Sequence, residues 1–316
     1  MHLRHLGYAC QNLTLGTKSR TVRLANLRTE TAIPVITQNL DDVLAALRWN
    51  AAHGLRFFRI SSDLIPFGPL PVFPFDWAAA FDWKFREIRR FVKAEAMRVT
   101  SHPGQYTVLN SPREEVVQAS LDELEHQARV LALMDGTGLG TMTLHVGGAY
   151  GDKAAAMNRF AQNLERLSDG ARQRLILEND DTTYTLAETV GLAERTGLAV
   201  VVDLFHHRLN PSGATADEGL ADLLARAVAT WNGRAPKLHL SSHKPGTRTG
   251  HADFLDMDDV QALVDVMAPV PDARGRTDAP FDLMLEAKHK ECAALEVAAF
   301  LEAGVRPARD GVMAEA

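Results

Sequence analysis

The sequence predicts a single (β/α)8 TIM barrel, and three observations support that fold class. Eight short apolar runs are distributed along the 316 residues, with amphipathic stretches long enough for a helix between successive runs. The runs LILE and VVVD are continuously apolar, which is typical of parallel strands buried on both faces. Nearly every run ends in a residue that can bind a metal or transfer a proton. Because the carboxyl ends of barrel strands converge on one mouth, these residues are expected to form one site.

The eight apolar runs are the predicted strands, at residues 6–10, 55–63, 97–102, 141–146, 174–180, 198–207, 236–243 and 281–288. The predicted helices lie at residues 39–53, 82–95, 113–134, 152–167, 185–196, 215–231, 256–267 and 291–302. The helix at 113–134 has the clearest pattern, because Pro112 precedes it, two glutamates occupy its first turn, and apolar residues recur at helical spacing. The connection 11–38 is long, which predicts a loop over the mouth.

Composition indicates one domain. Residues 1–305 are expected to form the barrel, and residues 306–316, which lack a periodic pattern, a loosely held or disordered tail. No run approaches the ~20 apolar residues that a membrane helix needs. No signal peptide is expected, because the N-terminus leads directly into a strand-like run. The two cysteines, Cys10 and Cys292, cannot form a disulfide framework, so a cytoplasmic location is expected.

The net charge of −6 lacks the strongly basic balance of many nucleic-acid binders. It argues only weakly against a nucleic-acid ligand, because bound divalent cations would cancel much of the acidic excess at the site itself. Basic residues that follow the first and seventh strands could contact phosphates; these are Lys18, Arg20, Arg23, Lys244 and Arg248.

Carboxylates and imidazoles are concentrated at the strand ends. The set comprises Asp63, His102, His145, Glu178, Asp203, His206, His239 and Glu286. Three of these carboxylates, Glu178, Asp203 and Glu286, directly follow apolar strands, where an unpaired charge is costly unless it binds a cation. So many oxygen and nitrogen ligands at one mouth predict a cluster of divalent metals, and bridging carboxylates are common in two-metal sites.

The other polar residues near the strand ends leave alternatives open. His239 lies between two leucines and could instead be a core histidine, whereas His207 is expected to be structural. His251, two residues before Asp253 in a loop, is a candidate ligand. Lys237 should face the barrel interior with His239, and it is either ion-paired to a carboxylate or chemically modified.

The turn HPGQY, at residues 102–106, follows the third strand and carries an aromatic side chain. Gln105 and Tyr106 come directly after Pro103 and Gly104, which fix a turn. Such a pair could act as a wedge, because an aromatic ring can replace lost base stacking. Alternatively, Tyr106 is a partly buried residue of the rim.

Nine strings resemble, in order and spacing, the motifs of the UV damage endonuclease family, which is related to endonuclease IV. They are GYACQNLTL, RISSDLIPF, SHPGQY, LHVGGAYGDK, LILEND, VVVDLFHH, KLHLSSH, GHADF and LEAKHKE, and the match covers roughly residues 6–291. The resemblance implies one TIM barrel that nicks damaged duplex DNA directly 5′ to a lesion, leaving a 3′-hydroxyl and a 5′-phosphate. The implied lesions are cyclobutane pyrimidine dimers, 6-4 photoproducts and abasic sites.

The resemblance also implies two or three divalent cations, usually Mn²⁺, with Zn²⁺, Mg²⁺ or Co²⁺ as substitutes. Carried onto this chain, it assigns one metal to His102, His145 and Glu178. A second metal would share Glu178 and take Asp203, His239 and Glu286, and a third would use His206 and His251. The residues implied in catalysis are Glu178, Lys237, His239 and Glu286. A monomer is implied, acting on DNA in the nucleoid without a protein partner.

Further residues match family positions. Lys237 matches a lysine that is a candidate for N-carboxylation. Gln105 and Tyr106 match the pair that pushes into the duplex opposite the lesion, and Tyr8 and Asn12 match lesion-side contacts.

The chain departs from its relatives at three points. Ala9 stands where they often have Pro or Val, Asp63 stands where some have His, and Asp253 follows His251, whereas endonuclease IV places a carboxylate before the equivalent histidine. The ligand set of the third metal depends on this last position.

Two other functions fit the same barrel. A metal-dependent sugar isomerase also uses Glu, Asp and His at strand ends, but it needs neither the histidine-rich set nor the HPGQY turn. A noncatalytic lesion-binding barrel would be expected to lack a bridging carboxylate, and all three are present.

Overall fold

The computed structural model describes residues 1–304, and it confirms the predicted barrel. The strands are β1 (His2–Ala9), β2 (Phe57–Arg59), β3 (Arg98–Thr100), β4 (Met142–His145), β5 (Leu175–Glu178), β6 (Ala199–Asp203), β7 (Lys237–Leu240) and β8 (Pro280–Leu285). They pair in parallel in the order β3-β2-β1-β8-β7-β6-β5-β4. A parallel bridge between Ser101 and Met142 joins β3 to β4 and closes the barrel. The expected tail at 306–316 lies outside the described residues.

Helices surround the strands. They are α1 (Thr29–Ala52), α2 (Trp77–Ala80), α3 (Asp82–Ala94), α4 (Glu114–Met134), α5 (Lys153–Leu164), α6 (Asp169–Arg174), α7 (Leu186–Thr196), α8 (Leu204–Leu209), α9 (Leu220–Ala229), α10 (Met257–Met267) and α11 (Lys290–Glu302). Six of the eight predicted helices agree with these in place and approximate length, whereas the predicted helix at 215–231 is too long, since α9 begins at Leu220 and ends at Ala229. The short helices α2, α6 and α8 were not predicted, nor was the 3-10 turn Leu24–Asn26.

The prediction of a loop over residues 11–38 is wrong in its second half, because α1 begins at Thr29. Pro34 lies in the second turn of α1, where the missing N–H would normally end a helix. The helix continues past this proline because Ile36 and Leu40, on its inner face, are fully buried against the barrel. Burial of this face therefore outweighs the local cost of the proline.

The predicted strand 198–207 is too long, since β6 ends at Asp203 and α8 begins with the next residue. Asp203 Oδ1 accepts a hydrogen bond from His206 N at 2.9 Å, so the carboxylate caps the helix. Asp203 and His206 are thereby brought to one side of a tight corner at the mouth.

The end of the barrel opposite the mouth is closed by buried ion pairs. Asp282, near the start of β8, accepts hydrogen bonds from Arg4 at 2.6 and 2.9 Å and from Arg98 at 2.8 Å. The Arg98 guanidinium lies over the rings of Phe57 and Trp231. This network links β1, β3 and β8 and leaves the other end of the barrel as the site for chemistry.

Candidate metal centre

Parallel pairing places the ligand candidates at one level of the mouth. His145 at the end of β4 pairs in register with Glu178 at the end of β5, and Asp203 in β6 pairs with His239 in β7. Glu286 is the residue that follows β8. The regular register of the barrel therefore brings together residues that are far apart in the sequence.

The first ligand group consists of His102, His145 and Glu178, whose ligand atoms lie within 4.8 Å of one another. Glu178 Oε2 lies 3.1 Å from His102 Nε2 and 3.4 Å from His145 Nε2. The Glu178 side chain is 1% exposed, whereas those of the two histidines are 21% and 34% exposed. The group therefore lies between the barrel interior and the open mouth.

The second ligand group, Glu178, Asp203 and His239, is fully buried. Glu178 Oε1 lies 2.6 Å from His239 Nδ1. Asp203 Oδ2 and His239 Nε2 are buried without a hydrogen-bond partner within residues 1–304. Buried polar atoms are rarely left unpaired, and a divalent cation would satisfy the orphaned carboxylate oxygen. The donor set therefore fits metal ions, with each oxygen of Glu178 facing a different group.

His206 and His251 lie close to these groups, with ring centroids 6.1 Å apart. His206 Nδ1 lies 3.0 Å from Asn179 O and 3.8 Å from Asp203 Oδ2. His251 Nδ1 lies 3.1 Å from the backbone oxygen of Glu286 and 3.3 Å from Ser241 Oγ. In both rings these contacts involve Nδ1, so Nε2 is the nitrogen that remains to bind a metal ion.

Other candidates lie apart from the two groups. Asp63 is exposed, and Asp253 lies 3.6 Å from Lys244 Nζ, so neither joins the ligand groups found in the described residues. His207 Nε2 lies 2.7 Å from Ala216 O, which agrees with the expected structural role.

The centre combines strongly perturbed carboxylates and imidazoles. Burial raises the pKa of Glu178, but nearby His239 and His145 outweigh it and hold that pKa well below its usual value. Burial raises the pKa of Asp203, and Glu178 adds to this effect. Burial lowers the pKa of His239 to about 4, so its ring is neutral at pH 7 and has a lone pair for a metal.

His206 behaves differently. Its burial lowers its pKa, but Asp203 and Glu178 more than compensate and raise the pKa to about 9. The raised pKa of His206 reflects the excess negative charge of the neighbouring carboxylates. A bound cation would neutralise the same charge.

Lys237 is buried in the barrel below His239, and its Nζ donates a hydrogen bond to Thr143 Oγ1. No carboxylate of residues 1–304 lies within 4.0 Å of Nζ. Burial, together with the positive charge of Arg98, lowers the pKa of Lys237 well below its ordinary value. Of the two alternatives for this lysine, direct pairing with a carboxylate is therefore not observed.

The expected DNA-contacting residues divide into two classes. The Tyr106 side chain is 84% exposed, on a turn closed by a hydrogen bond from Thr107 N to Gly104 O at 2.9 Å. Tyr8 and Asn12 are fully buried instead. Tyr8 OH donates to Asn50 Oδ1 at 2.6 Å and accepts from Asn12 Nδ2 at 2.9 Å. Lesion contact by Tyr8 and Asn12 does not fit this packing, in which they tie the first loop to α1.

Two residues that sequence reasoning missed support the centre. Asn179 links β5 to β6, because its side chain both donates to and accepts from the backbone of Asp203 at 3.0 Å. Arg59 ends β2 and donates a hydrogen bond to Glu286 Oε1. Arg59 could have been identified in the sequence by its position at a strand end, the same feature that identified the acidic residues.

Comparison with known proteins gives the family. The model of the UV-endonuclease UvdE family matches residues 4–309. The chain belongs to the UvdE family. Endonuclease action in DNA repair, on a DNA substrate, follows from this membership.

Among curated UvdE relatives, the UV DNA damage endonuclease of Bacillus velezensis is 34% identical over 303 residues, covering 94% of this chain and 92% of that protein. The UV DNA damage endonuclease of Bacillus pumilus is 36% identical over 268 residues, covering 84% of this chain and 81% of that protein.

Solved structures agree with the UvdE assignment. The crystal structure of SacUVDE superposes with a TM-score of 0.85 at 33% identity, covering 96% of this chain and all of that one. Endonuclease IV from Thermus thermophilus has a TM-score of 0.57 at 20% identity, covering 94% and 100%. A D-psicose 3-epimerase from Clostridium cellulolyticum H10 has a TM-score of 0.54 at 12% identity, covering 95% and 100%. The last two likenesses show the barrel fold alone. None of the described helices is long and apolar enough to cross a membrane.

Proposed function

We propose that this UvdE protein nicks duplex DNA directly 5′ to UV lesions by metal-dependent hydrolysis, leaving a 3′-hydroxyl and a 5′-phosphate. The proposed lesions are cyclobutane pyrimidine dimers, 6-4 photoproducts and abasic sites. Mn²⁺ is the proposed cation, with Zn²⁺, Mg²⁺ or Co²⁺ as substitutes. We also propose that the protein acts as a monomer in the cytoplasm, on the DNA of the nucleoid.

The observation that carries the proposal is the position of Glu178 between two ligand groups. Its two oxygens face His102 and His145 on one side and His239 on the other. A carboxylate shared in this way can hold two cations a few ångströms apart, as in two-metal phosphodiesterases. Membership of the UvdE family makes the phosphodiester of DNA the matching substrate.

We assign one cation to His102, His145 and Glu178. A second would share Glu178 and take Asp203, His239 and Glu286, and a third would use His206 and His251. Cations held by these residues would supply a hydroxide near neutral pH and would stabilise charge on the phosphate and on the leaving oxygen. The protein's contribution is a fixed, mostly buried set of ligands, with a neutral His239 ring and an ionised Glu178.

Lys237 is proposed to be N-carboxylated, which would turn a buried amine into an additional oxygen ligand. Burial supports this proposal, because a lowered pKa increases the neutral fraction of the amine, which is the form that reacts with CO2. Intact mass spectrometry at mildly basic pH should find the added mass of one CO2 in the wild type and none in Lys237→Arg. If the measured masses of both the wild type and Lys237→Arg equal the masses calculated from their sequences, the modification is refuted.

Gln105 and Tyr106 are proposed to enter the duplex at the lesion. The exposure of Tyr106 supports this role, since its ring, on the turn that follows β3, is accessible for stacking on a base. A damaged site is easier to unstack than intact DNA, so the proposal includes selectivity for lesions with little dependence on sequence.

Nicking of supercoiled plasmid tests the function. UV-irradiated and unirradiated plasmid are incubated with the protein and Mn²⁺, or with EDTA. Relaxation confined to irradiated plasmid with Mn²⁺ is the expected result. Tight Mn²⁺ binding without nicking would favour the isomerase or the noncatalytic lesion-binding barrel instead.

A further inference from the structure

The turn that follows β1 presents two leucines to solvent at the rim of the mouth. Leu13 and Leu15 are 46% and 44% exposed, whereas Asn12, at the start of the turn, is fully buried. Exposed large apolar side chains are not scattered over residues 1–304. All of them lie in the loops and helix starts that follow β1 to β4; they are Leu13, Leu15, Leu24, Ile33, Val72, Trp83, Tyr106 and Tyr150. The exposed apolar surface of the described chain is therefore concentrated on the mouth side of the barrel.

Buried polar groups fix the backbone of this turn. Glu291 Oε1, in the first turn of α11, accepts hydrogen bonds from Thr14 N at 2.6 Å and from Thr14 Oγ1 at 2.9 Å. Asn12 Oδ1 accepts a hydrogen bond from Leu15 N at 2.8 Å. Because α11 begins shortly after Glu286, the turn is attached beside the candidate metal ligands. The two leucines are therefore held in water by a fixed support at the edge of the site.

The loop that carries the turn is basic. Residues 11–29 contain no Asp or Glu, although the whole chain has a net charge of −6. The basic residues in this range are Lys18, Arg20, Arg23 and Arg28. Arg20 pairs with Asp42, whereas the other three are exposed and have no carboxylate within 4.0 Å in residues 1–304. This charge complements DNA, because the cations can hold phosphates while the leucines reach the sugars and bases between them.

We propose that Leu13 and Leu15 contact base faces that a UV lesion exposes in duplex DNA, and so form a second recognition element on the β1 side of the mouth. This inference rests on the proposed function. Leucine is one of the apolar residues that proteins insert between partly unstacked bases. Intact duplex keeps its base faces stacked, so this contact favours DNA that a lesion has already deformed.

DNA binding without cleavage tests the proposal. A labelled duplex with one cyclobutane pyrimidine dimer, and the same duplex without damage, are titrated with the full-length protein in Ca²⁺, and fluorescence anisotropy gives both Kd values. The double variant Leu13→Ala/Leu15→Ala should bind the damaged duplex about 10-fold more weakly, because apolar burial is lost. Its Kd for the intact duplex should change much less. The dependence of both Kd values on salt should stay as in the wild type, since the phosphate contacts are kept.

Two comparison variants separate this contact from general effects of substitution. Leu13→Met/Leu15→Met keeps the apolar volume and should bind like the wild type. Ile33→Ala is the matched control, because Ile33 is 40% exposed on α1, outside the turn, and it should change neither Kd.

Three results would overturn the proposal. They are an unchanged Kd for the damaged duplex in the double alanine variant, an equal loss for both duplexes, and the same loss in Ile33→Ala. Circular dichroism establishes that each variant is folded. If the double alanine variant does not fold, Leu13→Asn and Leu15→Asn are measured singly in its place.

The outcome is separable from the proposed function because no cleavage is measured. A wild type that prefers the damaged duplex through these leucines but never nicks irradiated plasmid would refute the function and support the contact. Nicking of irradiated plasmid by the wild type, together with unchanged Kd values in Leu13→Ala/Leu15→Ala, would refute only the role of the leucines.

Discussion

Glu178 is the residue on which both ligand groups depend. It is buried at the end of β5, and histidines from three other places in the chain surround its two oxygens. Replacing one oxygen by an amide nitrogen removes both the negative charge and one ligand atom while keeping the shape of the side chain.

Glu178→Gln is therefore expected to reduce nicking of irradiated plasmid by at least ~100-fold, because several kcal/mol of charge stabilisation are lost. Circular dichroism should show an unchanged fold. Glu165→Gln, a change at an exposed surface glutamate, is the control and should keep wild-type activity. Nicking by Glu178→Gln at the wild-type rate would rule out the bridging role.

Tyr106 is expected to matter for recognition rather than for metal binding. Stacking of a base on an aromatic ring contributes about 1–3 kcal/mol, so Tyr106→Ala should lower the preference for damaged over intact duplex by roughly 10-fold or more. Binding to both duplexes, measured by fluorescence anisotropy in Ca²⁺ to prevent cleavage, gives this ratio. Trp83→Ala, at another exposed aromatic residue, should leave it unchanged. An unaltered ratio in Tyr106→Ala would exclude the wedge.

At this scale the sequence predicted which polar residues meet at the mouth better than it predicted which residues are exposed to DNA. Glu178, Asp203 and His239 lie together because each sits at or near the end of an apolar strand, where the barrel dictates direction. Tyr8 also lies in a strand, but the sequence does not reveal that its ring packs outward against α1 and binds Asn50. Side-chain partners from a distant helix have no local signal in the chain.

Among the secondary-structure elements, β1, β3 and β8 are held together by Asp282 at the end opposite the mouth. Burial raises the pKa of Asp282, but Arg4 and Arg98 outweigh it and keep that pKa below 3.8. Because the pKa is lower in the folded protein, the stabilisation is fully present above pH 3.8 and is lost as the pH falls through the folded value.

Asp282→Asn should lower the free energy of unfolding at pH 7 by about 3–5 kcal/mol, the usual cost of leaving a buried charge without its partner. Urea unfolding measures this difference, with Asp222→Asn at an exposed position as the control. The wild type and the variant should converge in strongly acidic buffer. A difference that persists there, or its absence at pH 7, would contradict the ion-pair explanation.

The element boundaries show where local patterns fail. Helix α4 was predicted almost to the residue because its first turn and its periodicity agree. Helix α1 was predicted to begin at residue 39, because the connection before it was assigned to a loop, whereas it begins at Thr29. Burial of Ile36 and Leu40 keeps it helical past Pro34. The corner at Asp203 was missed because an apolar run alone does not show where a side chain will cap a helix.

For the whole molecule, the barrel could be predicted because its strands repeat eight times with the same apolar character. Closure of the barrel between β3 and β4, by contrast, depends on the bridge between Ser101 and Met142, which no pattern in the sequence predicts. The same closure brings His102 next to His145, so formation of the first ligand group requires the complete barrel.

Metal removal should therefore affect the stability of the entire domain. A ligand that binds only the folded state at 100 times its Kd adds about 2.7 kcal/mol, which corresponds to an increase in Tm of several degrees for a chain of this size. Calorimetry with Mn²⁺ and with EDTA should show that difference in the wild type and a smaller one in Glu178→Gln. Identical melting curves with and without Mn²⁺ would contradict a resident metal cluster.

The most direct measurement is cleavage of a 5′-labelled duplex that contains one defined cyclobutane pyrimidine dimer, resolved at single-nucleotide length. With Mn²⁺, we expect one product that ends in a 3′-hydroxyl directly 5′ to the dimer, and none from the undamaged duplex or with EDTA. Cleavage of both duplexes alike, cleavage 3′ to the dimer, or cleavage that persists in EDTA would contradict a metal-dependent nuclease that recognises UV lesions.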